Sequence, residues 1–336
     1  MNDSFCIPEY RSGLKDMFVQ FIQYKKSSGR KERLYATVLN SFDTYCVSLS
    51  RKVNTLDRDT VDGFLQVTDQ RKLSSVLKNA SVLRELGRYM HRTGIKDAYI
   101  TNLHGSRKST YTPYIFNREQ IFLILQKASG FHSCYDSVNP NMKNTISCLY
   151  AMLYCTGIRI SEALSLKLQE VSLTERTILV TESKSGRQRL LPISASLSLK
   201  CGEYLSKRCS CHNVYFFDSG SSLHDGQINT RTAYRYFRVL MEESGIMHRG
   251  RSNGPRLHDF RDTFAVHSLQ QLIEQGGDVN AGLEYLSLYM GHRSIYETQD
   301  YLWLTEELAE DMLNKTSGSA AFLAEEYRRK AVALDV

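Results

Sequence analysis

Apolar positions recur at a helical period through the first hundred residues. In "LKDMFVQFIQYKKSSG", Leu14, Met17, Phe18, Phe21 and Ile22 fall at i, i+3, i+4, i+7 and i+8, with Gly29 placed to end the helix. "RLYATVLNSFDTYCVSL" repeats the pattern through Leu34, Val38, Phe42, Tyr45 and Leu49. A shorter segment follows at "DTVDGFLQV". "LSSVLKNASVLRELGRYMHRTG" then runs through Leu73, Val76, Leu77, Ala80 and Leu83 to Met90, closed by Gly94. Four amphipathic helices with short connections predict a helical bundle over residues 1–104. The period is lost in the polar stretch containing Gly105, Arg107, Lys108 and the nearby Pro113, which predicts a linker over 105–112.

Beyond the linker, "NREQIFLILQKA" and "NTISCLYAMLYCTG" predict helices, the second apolar nearly all round and therefore buried. The pattern then changes period. In "RTILVTESKSGRQRLLPIS" two β-prone runs, "TILVT" and "RLLPI", flank a polar turn with Gly186, and Pro192 marks a strand end or sheet edge. Helical segments return at "LSLKCGEYLSKR", "TRTAYRYFRVLMEESG", "LHDFRDTFAVHSLQQLIEQGG", "GLEYLSLYMGH" and "YETQDYLWLTEELAEDMLNK". The expected fold is mainly α with a small antiparallel β-sheet: a second domain over 113–314 and a tail over 315–336, where Phe322, Leu323 and Tyr327 suggest a short helix.

Composition bounds this picture. The 336 residues are 42% hydrophobic and 24% charged, which is globular rather than disordered. No apolar run approaches the ~18 residues of a membrane span, and the N-terminus lacks a basic-then-apolar leader, so a cytosolic protein is expected. Eight scattered cysteines in a reducing compartment predict no disulfide framework. "CSCH" (Cys209, Cys211, His212) has no second ligand pair at zinc spacing, so no metal site is expected. The net charge of +7 is unevenly spread. Residues 1–112 carry 19 Lys and Arg against 11 Asp and Glu, whereas the last 40 carry 4 against 9. A basic front and an acidic end suit a polyanionic partner met by the front of the chain, although an ordinary solvated surface would have the same sum.

Four short stretches bear chemistry. In "CTGIRISEALSL", Gly157 interrupts a buried helix, Arg159 starts the next, and Glu162 lies three residues on to orient the guanidinium or simply pair with it. "RLHDFRDTFAVH" spaces His258 and Arg261 at i, i+3 on one helix face, an imidazole for proton movement and a guanidinium for gripping phosphate. In "SKSGR", Lys184 sits at the hairpin tip. There it is a solvated lysine or a mobile ammonium able to protonate a leaving hydroxyl. In "MGHRSIYETQDYLWL", His292 follows Gly291 at a helix end and Tyr301 lies in the next helix, while Tyr296 and Trp303 read as packing aromatics. A tyrosine with an ordinary pKa of about 10 is a poor nucleophile at neutral pH. Cations that stabilise the phenolate, or a base, make it a good one.

Taken in order, Arg159, Glu162, Lys184, His258, Arg261, His292 and Tyr301 resemble the catalytic signature of the tyrosine recombinase (phage integrase) family. "MGH" stands where "LGH" is commoner, and the interval from Arg261 to His292 is long. The resemblance implies a core-binding front bundle, a catalytic domain over 113–314, and a 3′-phosphotyrosyl link formed by Tyr301. It further implies Arg159, Arg261 and His292 on the non-bridging oxygens, Lys184 as acid for the leaving 5′-oxygen, and His258 assisting the tyrosine proton. Neither ATP nor metal would be needed. The implied partners are double-stranded DNA at specific sites, with Arg107 and Lys108 on its backbone, and a homo-tetramer whose tails dock between protomers. A type IB topoisomerase and an inactive DNA-binding relative are the alternatives; the charge reversal in the tail and the compact front bundle favour a recombinase over the first, and the complete set of groups argues against the second.

Overall fold

The computed structural model describes residues 7–30, 32–66, 73–105, 112–130, 142–181, 188–208, 214–219, 226–247, 254–292, 294, 296–299 and 301. The chain divides into two compact units, Met1–Thr110 and Tyr111–Val336.

The first unit holds α1 (Lys15–Ser27), α2 (Glu32–Ser48), α3 (Arg58–Phe64) and α4 (Leu73–Arg92). Their apolar stripes meet in a core containing Phe18, Phe21, Phe42 and Phe64, whose rings stack edge-on or tilted. Three residues of the predicted stripes, Leu34, Leu73 and the half-buried Leu77, lie outside that core. Leu34 and Leu73 occupy the first turns of α2 and α4, beyond its edge, and are 42% and 39% exposed. A buried carboxylate ties down the entering chain: Asp43 on α2 accepts the backbone N–H groups of Arg11 and Ser12 at 2.8 and 2.9 Å. Those bonds satisfy a charge that would otherwise be costly inside a bundle.

The second unit contains α5 (Arg118–Gly130), α6 (Met142–Thr156), α7 (Ile160–Ser165), a three-stranded sheet, α8 (Ala195–Lys207), α9 (Thr230–Glu243), α10 (Asp259–Glu274), α11 (Val279–Met290) and α12 (Tyr296–Gln299). As its composition predicts, α6 is the central helix, buried on all sides: Ile146, Cys148 and Leu149, which point in different directions around it, are all fully buried. The sheet runs β1 (Val171–Ser172), β2 (Thr177–Val180), β3 (Arg189–Pro192), antiparallel throughout. Val180 pairs with Arg189 and Thr177 with Pro192, so the proline closes an edge strand, where its missing N–H costs no ladder bond. The first strand is only two residues long, too short for alternation to announce it. Among the described residues no helix is long and apolar enough to cross a membrane.

One expectation about helices is corrected. His258 is not part of a helix face shared with Arg261; it is the residue preceding α10, and its side chain is exposed while Arg261 is buried. Tyr301 follows α12 in 3-10 geometry, and its ring packs into the apolar cluster of Leu269, Leu283 and Met290. Lys184, Arg107, Lys108, Trp303, the cysteines of "CSCH" and the tail from 315 lie outside the described residues.

Candidate active site

The site forms where the ends of α6 and α11 meet the starts of α7 and α10. After α6 the chain turns at Gly157, with φ of +59°, and a Cβ there would run into the Phe264 ring. Two residues on, Arg159 occupies the position before α7 and Glu162 its third position. The Glu162 carboxylate reaches back to the Arg159 N–H at 3.1 Å, the acidic half of a capping box. Its other oxygen takes Arg159 Nη1 at 3.0 Å. The pairing anticipated from i, i+3 spacing is therefore present, and it places Arg159 by backbone and side chain together.

Arg261 belongs to the first turn of α10 and is 3% exposed. It has no need of a contacting carboxylate. Its guanidinium donates to the Gly157 carbonyl at the end of α6 and, at 2.8 Å, to the Met290 carbonyl at the end of α11. Carbonyls that end a helix have no partner within it and carry the negative end of the helix dipole, so they are suited to hold a buried cation. Burial, then the nearby Arg159 charge, still lowers Arg261 to about 10.

At the far end of α11, Gly291 turns the chain at φ +67° and presents His292. The Nδ1 of His292 lies 2.7 Å from the hydroxyl of the buried Thr298. Burial, followed by the charges of Arg261, Arg159, Arg189 and His258, lowers His292 to about 3. At neutral pH it is an uncharged imidazole, a hydrogen-bond donor rather than a cation. The Tyr301 ring lies 5.9 Å from the His292 ring, centroid to centroid. Burial, then Asp262, raises the Tyr301 phenol well above its ordinary value against the opposing pull of Arg261. Asp262 and Arg261 therefore act on its hydroxyl in opposite directions. Asp262 in turn is raised to about 6, chiefly by burial.

Arg159, Glu162, Arg261, His292 and Tyr301 are thus linked through one set of contacts. His258 stands exposed at the start of α10, near enough to be felt by His292. Three participants escaped the sequence reading: Arg189 on β3, Asp262 on α10 and Thr298 on α12. Asp262 had a signal, a carboxylate next to an arginine in an apolar helix. Arg189 opens the strand "RLLP", where a leading arginine reads as a solvated strand end.

The arrangement offers two guanidiniums and a neutral imidazole around a tyrosine hydroxyl, a setting that stabilises an anion and, with a base, a phenolate. Residues 116–307 match the model of the phage integrase family. A protein of Sinorhizobium fredii named as an integrase/recombinase is 31% identical over 60% of this chain and 65% of its own length, just under two thirds. The tyrosine recombinase XerC of Oceanobacillus iheyensis is 26% identical over 87% of this chain and 92% of its own. Among solved structures, XerH site-specific recombinase bound to its difH substrate has a TM-score of 0.64 at 16% identity, covering 91% of this chain and 97% of that one. A lambda integrase tetramer bound to a Holliday junction has 0.61 at 16%, covering 86% and 76%.

Proposed function

The chain belongs to the phage integrase family of tyrosine recombinases, and from that premise we propose that it is a site-specific DNA recombinase working through a 3′-phosphotyrosyl intermediate. In this reading the Tyr301 oxygen bonds to phosphorus as the bond from phosphorus to the 5′-oxygen breaks. Arg159, Arg261 and His292 hold the non-bridging oxygens as charge accumulates there. Lys184 gives a proton to the departing 5′-oxygen, and His258 assists removal of the tyrosine proton. A 5′-hydroxyl from another strand then reverses the step with a new partner, so the phosphodiester energy is conserved and no ATP is consumed. No metal or cofactor enters this chemistry.

The observation that carries the reading is the Tyr301 ring lying 5.9 Å from the His292 ring, at the turn after α11 that Arg159 and Arg261 both hold through backbone carbonyls. Topoisomerase-like strand relaxation and a binding-only role gain no support from relatives named as recombinases and integrases. Residues 1–104 serve as the core-binding module, 105–112 as linker with Arg107 and Lys108 on the DNA backbone, 113–314 as catalytic domain, and 315–336 as a segment for neighbouring protomers. The partners are duplex DNA carrying specific sites and three further copies of the chain. The setting is the cytoplasm of a bacterium, on its chromosome or on a mobile element.

The test is adduct trapping on nicked duplexes drawn from the DNA flanking the gene. A short fragment released after attack diffuses away, so covalent protein–DNA accumulates on a denaturing gel. Wild type and Tyr296→Phe should give the adduct, and Tyr301→Phe should bind the same DNA and give none. An adduct persisting in Tyr301→Phe refutes the assignment; a clear mobility shift without any wild-type adduct favours the binding-only role.

A further inference from the structure

Glu162 is held by a second arginine more firmly than by Arg159. Arg189, at the start of β3, donates Nη2 to one carboxylate oxygen at 2.7 Å and Nη1 to the other at 3.2 Å. With the Arg159 backbone N–H and Nη1, the carboxylate accepts four hydrogen bonds, its full capacity. The Glu162 side chain is 1% exposed, so this saturation is what permits its burial. Burial alone would raise Glu162; Arg189 first, then Arg159, outweighs it and holds the carboxyl below its ordinary range. Arg189 also donates Nε to the Tyr289 carbonyl at 3.1 Å. Its guanidinium lies against the Gly291 turn, where a Cβ would come within 3.0 Å of Nη1.

The two arginines differ in what they have left to give. Three donors of Arg189 are spent on Glu162 and Tyr289. Arg159 is the more exposed, at 20% against 11%, and among the described residues it gives one donor to Glu162 and one, at 3.4 Å, to the Gly291 carbonyl. Three of its five N–H groups remain for an anion. We propose that Arg189 is a positioning residue for strand cleavage: by occupying both oxygens of Glu162 and bracing the Gly291 turn, it keeps Arg159 aimed at the scissile phosphate and His292 beside it. Without Arg189, a buried Glu162 would have one cation left, and the Arg159 fork would turn inward to satisfy it. The inference rests on the recombinase reading above.

The experiment is the rate of adduct formation on the nicked duplex that traps wild type, made with either an ordinary or a methylphosphonate scissile group. The methyl group replaces a non-bridging oxygen and removes the charge that Arg159 would neutralise. Arg189→Met should be slowed roughly 100-fold on the ordinary phosphate, the size of a lost oxyanion donor, with a much smaller loss on methylphosphonate and unchanged mobility shift. Arg189→Lys keeps a charge but cannot make the fork, so it should show the same bias between substrates, more weakly. It decides the matter should Arg189→Met fail to fold. Adding Glu162→Gln to Arg189→Met should restore rate by releasing Arg159. Equal losses on both substrates, or no loss, would overturn the proposal. A wild-type protein that forms no adduct on any duplex removes the recombinase reading first, and this inference with it.

Discussion

Asp262 and His292 are shifted in opposite directions, each chiefly by burial. Burial raises Asp262 from 3.8 to about 6, so between those values the folded protein keeps a proton that the unfolded chain has released. Stability contributed at this group therefore falls as pH rises through that window. His292 is lowered from 6.5 to about 3, so the unfolded chain takes up a proton over that range which the folded protein refuses. Its effect has the opposite sign: stability falls as pH drops from about 6.5. Asp262→Asn should be more stable than wild type at pH 7, by up to roughly 3 kcal/mol for a two-unit shift. Its melting temperature should also climb more steeply between pH 4 and 6, where only the His292 slope remains. A melting series across pH decides this, and a variant no more stable at pH 7 than at pH 4 relative to wild type would show that Asp262 is not held in the protonated form. The same carboxylate bears on chemistry. An anion beside the Tyr301 hydroxyl opposes phenolate formation, so the tyrosine is kept protonated until something redistributes that proton.

Helix ends, rather than helix faces, organise the site, and this sets how much of it could be read from residue spacing. The turn at Gly157 delivers both the carbonyl that holds Arg261 and the start of α7 with Arg159. Gly157→Ala would add a Cβ at φ +59° and press it into the Phe264 ring. Left-handed strain of about 1–2 kcal/mol and overpacking of about 1–3 kcal/mol predict a loss of roughly 2–5 kcal/mol. Adding Phe264→Leu should recover the packing share alone, which denaturant unfolding of the single and double variants measures. A loss under about 1 kcal/mol would mean the turn adapts. The helical periods, the hairpin and the Arg159–Glu162 pair were legible because each depends on neighbours within four residues. Arg189 was not, because its partners lie 27 and 100 residues away. Nor was the packing of Tyr301, whose ring joins a cluster of α10 and α11 residues distant from it in the sequence. His258 matched the expected spacing yet stands before its helix, since i, i+3 separation holds across a helix start as well as within it.

Charge is distributed unevenly over the whole chain. Residues 1–112 carry an excess of eight positive charges, and the last 40 an excess of five negative ones. A protein that neutralises phosphates releases counterions, so its affinity falls linearly with salt on a logarithmic plot, by about 0.9 per phosphate contacted. Arg107 and Lys108 belong to a polar stretch of the sequence that has no apolar period. If both grip the backbone, Arg107→Gln with Lys108→Gln should lower the salt slope by about 2. The weakening should be similar on any duplex, because phosphate contacts carry no sequence information. Once DNA is saturating, the rate of covalent attack should stay at the wild-type value if both residues act on the backbone alone. A slope unchanged by the double substitution would take both residues off the DNA. A slope that falls together with the saturated rate would mean that the linker also helps seat the scissile phosphate, and that binding and cleavage are coupled through it.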